Sequence, residues 1–119
     1  EDCEPEDYTG SYDLDRMINY SCAFGSVDLH FNELSVLDSN PSISVKSTGS
    51  QPGQMLGTRN NGGVFSASRT ISGTCDETYS ISGEFTSETT FDATFEATFS
   101  GGSCFDCTDQ SWNVVGTMP

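Results

Sequence analysis

From Phe91 to Phe99 the chain reads Phe, Asp, Ala, Thr, Phe, Glu, Ala, Thr, Phe, so apolar and polar residues alternate without a slip. A period of two is the pattern of a β-strand with one buried face. The phenylalanines and alanines share that face while the threonines and acids share the other. The fold must therefore cover an aromatic sheet surface, either by stacking a second sheet on it or by closing the sheet on itself.

Turn signals recur at roughly 8 to 12 residues, the rhythm of all-β sandwiches and barrels. Tyr8 to Leu14 reads as a first strand. Ile18, Tyr20, Cys22 and Phe24 fall on one face of a second, and Asp15 to Tyr20 has room for one helical turn at most. Val27, Leu29 and Phe31 share a face, but Leu34 and Val36 have the opposite parity, which places a bulge near Asn32 and Glu33. Ser39-Asn40-Pro41-Ser42 is a turn ahead of Ile43 and Val45, and Gly49 to Gly53 is a looser loop ahead of Gln54 to Arg59. Asn60-Asn61-Gly62-Gly63 supplies the positive backbone angles of a tight hairpin. Further strands follow at Val64 to Ser72, Tyr79 to Phe85, Phe91 to Phe99 and around Trp112 and Val114. The expectation is an all-β fold, an antiparallel meander of roughly eight or nine strands closed as a small β-barrel, with a two-sheet β-sandwich as the alternative. Residues 1–7 read as an acidic linker or tail cut from something longer, and residues 8–119 as a single β domain.

The charge excludes some partners. With 18 acids against four Lys and Arg, the net charge of -14 repels phosphate backbones, so nucleic acid is not an expected partner. The surplus suits a salty medium in which self-repulsion is screened. It is unevenly spread: the stretch from Ser39 to Cys75 has no acid and holds Lys46, Arg59 and Arg69. That locally positive meander is a candidate surface for an anionic ligand or for self-association through residues 39–75. No apolar run approaches the ~20 residues of a transmembrane helix, so no membrane span is expected.

Five cysteines in a short, turn-rich chain point to an oxidising compartment and to disulfides. The expected bridges use Cys22, Cys75, Cys104 and Cys107, paired as Cys104 with Cys107 and Cys22 with Cys75, which leaves Cys3 over. Cys104-Phe105-Asp106-Cys107 lacks the strand and helix context of a thioredoxin-type site, and the scattered remaining cysteines do not make a zinc site. His30 lies opposite the apolar side of its strand and reads as solvent-facing. Glu84, Glu88, Asp92 and Glu96 read as a solvated outer face. Without a second histidine or a nucleophile turn no triad is available, so no catalytic residue is assigned and no cofactor is expected. Asp106 and Asp109, beside a glycine-rich loop, are the candidates for calcium, without a recognised loop pattern. If the barrel has a cavity at one mouth, Tyr79, Phe85, Phe91, Phe95, Phe99 and Trp112 would line it, and Arg59 or Arg69 at the rim would hold an anionic head group.

Toward the C-terminus, from about Ile71 to Met118, the stretches Ser-Arg-Thr-Ile-Ser-Gly-Thr-Cys, Tyr-Ser-Ile-Ser-Gly-Glu-Phe and Gly-Gly-Ser-Cys-Phe-Asp-Cys-Thr-Asp-Gln-Ser-Trp resemble the Cys-, Gly- and Thr-rich β domains of exported bacterial lipoproteins. Glu1 to Asp7 resembles the end of the acidic linker that such domains follow, although nothing before Cys3 matches a lipobox. The expected architecture is also similar to that of lipocalins and avidins, whose sequence signatures are missing. The resemblance implies a domain displayed outside a bacterial cell. The functional expectation is a binding or interaction module for a small apolar or anionic ligand at a barrel mouth. The alternatives are a purely structural surface domain and a hydrolase with unidentified carboxylates.

Overall fold

The computed structural model describes residues 7–22, 27–49 and 52–119. Eight strands run in sequence order: β1 (Gly10–Cys22), β2 (Val27–Ser39), β3 (Ser42–Ser47), β4 (Gln54–Arg59), β5 (Val64–Ile71), β6 (Asp76–Ser87), β7 (Thr90–Ser100) and β8 (Gln110–Thr117). Every neighbouring pair is antiparallel and β1 returns to β8, so the meander closes into a barrel rather than a sandwich. The long strands bury alternate residues, as β7 does with Phe91, Ala93, Phe95 and Ala97.

Gly10 to Leu14 and Ile18 to Cys22 belong to one strand rather than two, with Tyr8 just ahead of it and Phe24 outside the described residues, and Asp15 to Tyr20 is extended, not helical. The irregularity expected near Asn32 is there. The register jumps from Asp13↔Glu33 to Ile18↔Phe31, so β1 spends more residues than β2, whose inward parity changes. With that slip β1 buries Tyr12 and Leu14 before the break and Ile18 and Cys22 after it, while β2 buries Val27, Leu29 and Phe31 on one parity and Leu34 and Val36 on the other. The Asn60 hairpin forms as its glycines demand: the Asn60 side chain accepts from the Gly62 and Val64 N–H groups, and Gly63 takes a φ of 89°.

The interior is aromatic and closely packed. Phe95 meets Phe31 edge-on at 5.5 Å and stacks on Trp112 at 5.6 Å, while Phe65 lies 4.8 Å from Phe85. Large and small residues share rows: Phe65, Gly83, Ala93 and Val114 are successive cross-strand partners. A Cβ at Gly83 would fall on the Asp92 carbonyl and the Ala93 backbone, so only glycine lets β6 and β7 approach as they do.

The closing seam is the least regular junction. The ladder between β1 and β8 consists of Asp13↔Thr117 and Leu14↔Gly116. Beyond it side chains take over: the Asp15 carboxylate accepts from the Val115 N–H at 2.9 Å, and the Tyr20 hydroxyl accepts from the Thr108 N–H at 2.9 Å. The barrel's outer surface carries exposed Asp13, Asp28, His30, Glu84, Asp92 and Glu96. Acids at those positions are the opposite of the apolar outer band of a membrane-spanning barrel.

Candidate functional site

One end of the barrel is plugged. Tyr8 is buried and stacks on Phe85 at a centroid distance of 4.0 Å, and the Arg59 guanidinium lies 4.8 Å over its ring. Arg59 Nε donates to Asp38 Oδ1 at 2.7 Å, and both side chains are 2% exposed. The Tyr8 N–H donates to the other carboxylate oxygen, and the Tyr12 hydroxyl donates to the Tyr8 carbonyl at 2.7 Å. Burial, then the nearby Asp38 charge, pushes the Tyr12 phenol up to about 12. Arg59 therefore does not stand at a rim to hold an anionic head; Asp38 neutralises it inside the mouth. That pairing takes one of the three cations of residues 39–75 out of the surface, while Lys46 and Arg69 stay exposed. Asp38 was legible all the same, since it continues the inward parity of Leu34 and Val36. Arg69 is exposed and donates to the Pro52 carbonyl at 2.9 Å.

Tyr79, Phe85, Phe91 and Phe95 are fully inside the barrel, and Phe99 and Trp112 are half-buried against it. Their rings pack on one another and fill the space that they would have lined. The apolar interior is core, and the surface recesses lie outside it.

The opposite end is held by Cys22–Cys107 and Cys75–Cys104. All four expected cysteines are bridged, but the pairing differs from Cys104–Cys107 and Cys22–Cys75. Barrel closure is the reason. Cys75 leads into β6 and Cys104 follows its neighbour β7, while Cys107 leads into β8 and Cys22 ends the adjoining β1. A Cys22–Cys75 bridge would have to reach past β7 and β8. The segment from Cys104 to Cys107 is instead a tight turn, closed by the Cys107 N–H donating to the Cys104 carbonyl at 2.9 Å. Cys3 lies outside the described residues.

Between these bridges is a partly enclosed recess lined by Val27, Ile71 to Cys75, Glu77, Ser103, Phe105 and Cys107. Phe105 is 72% exposed and has a φ of 54°, an uncommon backbone state for a bulky residue, with a bridged cysteine on either side of its turn. Glu77 sits at an inward-parity position of β6 and accepts a 2.6 Å hydrogen bond from the buried Tyr79 hydroxyl. Burial, reinforced by that bond and the Glu77 charge, raises the Tyr79 phenol well above the usual tyrosine range. The phenol thus stays a donor to Glu77 at physiological pH. Sequence reasoning singles out Tyr79 as a ring and overlooks its partner; the inward parity of Glu77, Tyr79 and Ile81 is the available signal.

The remaining candidates are scattered. Asp109 accepts from the Phe99 N–H at 3.0 Å, so it serves the strand end, and among the described residues no group of three or more His, Cys, Asp or Glu converges on one point. His30 and the acids Glu84, Glu88, Asp92 and Glu96 all face solvent. No protein-family model matches the chain, and neither does any curated protein or solved structure.

Proposed function

We propose that this chain is an extracellular binding module that recognises its partner at the disulfide-bridged end of the barrel and not in the barrel interior. The observation that carries this reading is the recess beside Phe105, with walls drawn from separate chain segments and fixed by both bridges. Rigid loops on a packed scaffold are where recognition concentrates, because little ordering remains to be done on binding. An exposed aromatic in an uncommon backbone state points the same way. The two disulfides are consistent with an extracellular protein, and the lipoprotein-like stretches are our reason for placing it on a bacterial envelope.

A purely structural domain is the second reading, favoured by the filled interior. Hydrolysis has less support. The inward carboxylates Asp38 and Glu77 belong to opposite ends of the barrel, whereas glycoside chemistry needs a pair about 5 to 10 Å apart.

The test is a fragment screen by amide NMR with cationic, neutral and anionic compounds on the intact, oxidised protein. Saturable shifts should cluster at Gly73 to Glu77 and Ser103 to Cys107. Shifts that never concentrate there would leave the structural reading in place.

A further inference from the structure

Resting on that reading, we infer that the recess is a site for a small organic ammonium ion, held by the Glu77 carboxylate and the Phe105 ring. Glu77 is half-buried, and the ion pair of Arg59 with Asp38 lies at the far mouth, away from it. The Tyr79 hydroxyl satisfies one acceptor position of a carboxylate that offers about four. The side chain is thus anchored in place while keeping acceptor capacity and its formal charge for a guest.

The surroundings choose the class of guest. Val27 and Ile71 are apolar walls, Thr74 and Ser103 add hydroxyls, and Phe105 adds a ring at the rim. A hydrated inorganic cation gains little from such walls, and calcium would want six to eight oxygen ligands. An anion would meet Glu77 and the field of a molecule with a charge of -14. An alkylammonium matches all the parts: charge on the carboxylate, N–H bonds to it or to the hydroxyls, methyl or methylene groups on the apolar walls and the cation over the aromatic face. The recess volume of about 230 Å³ is below the ~300 to 1,000 Å³ of drug-sized sites, which restricts the guest to a few heavy atoms or to the tip of a longer amine.

The experiment is amide NMR titration of the oxidised protein with cadaverine and with tetramethylammonium, each against sodium chloride at matched ionic strength. At least one ammonium probe should give saturable shifts at Gly73, Cys75, Glu77, Ser103 and Phe105. Glu77→Gln keeps an acceptor for Tyr79 but loses the charge, and should weaken that binding at least tenfold. Phe105→Ala, whose ring is at the rim, should weaken tetramethylammonium several-fold and serves independently if the first variant is perturbed. Shifts of equal size in Glu77→Gln, or spread over the acidic outer face, would show general counterion attraction and overturn the proposal. If a neutral or anionic fragment saturates the same amides while neither ammonium ion does, the ammonium assignment falls and the binding end stands. If no compound does, both fall.

Discussion

Phe95 shows how much one side chain can decide. It is 1% exposed and touches the rings of Phe31, Tyr79 and Trp112, so Phe95→Ala removes contacts from three strands at once. Chemical denaturation should record a loss of about 3 to 5 kcal/mol, against under about 1 kcal/mol for Thr94→Ala on the outer face. Comparable losses at both positions would mean the inward face is misassigned. Titration offers a second test. The Tyr12 phenol is pushed up to about 12 and that of Tyr79 is raised further, while in the unfolded chain both return to about 10. Their contribution is complete below pH about 10. Above it, the unfolded chain gives up protons that the folded chain retains, so stability falls as pH rises toward the folded values. Urea midpoints should therefore drop between about pH 9.5 and 11.5, and the drop should shrink in Tyr12→Phe. A flat profile would contradict the burial of these phenols. Both rings are legible from alternation. Their hydroxyl partners, the Tyr8 and Glu88 carbonyls and the Glu77 carboxylate, depend on three-dimensional proximity that parity alone does not rank.

Among the elements, the β6–β7 pair shows what a period of two does and does not reveal. Alternation by itself assigns Phe91, Ala93, Phe95 and Ala97 to the inward face, and closure follows from the meander. The reason Gly83 is glycine is not readable that way, because it lies in the close approach of the neighbouring backbone. Gly83→Ala should be destabilising by about 1 to 3 kcal/mol despite alanine's smaller entropy cost, since the added methyl meets main chain that cannot turn aside. A neutral or stabilising result by thermal unfolding would mean the strands part easily there. Similarly, β1 reads as two strands in the sequence because the Asp15-Arg16-Met17 stretch breaks the apolar rhythm. In the fold that stretch is the extra length opposite Asn32, a feature set by the partner strand.

At the scale of the whole molecule, the disulfides set stability and the seam sets motion. On the chain-entropy model, bridges separated by 85 and 29 residues stabilise by ~4.6 and ~3.6 kcal/mol, so reduction should lower the melting temperature by far more than any outer-face substitution. Peptide mapping of the unreduced protein should return Cys22 with Cys107 and Cys75 with Cys104; a Cys104–Cys107 peptide would refute the pairing. These pairings are hidden in the sequence because they follow from which strands are neighbours around a closed circle. The seam has a further consequence. Among the described residues two pairs join β1 to β8, so the amides of residues 18–22 have a ladder on the β2 side alone. Deuterium uptake along this stretch should alternate, slow for N–H groups turned toward β2 and fast for those turned toward β8. Uniform protection would indicate a fully zipped seam. A wall buttoned at separate points here, by the Asp13 and Leu14 pairs, the Asp15 and Tyr20 side chains and the Cys22–Cys107 bridge, and zipped everywhere else should open first along this line.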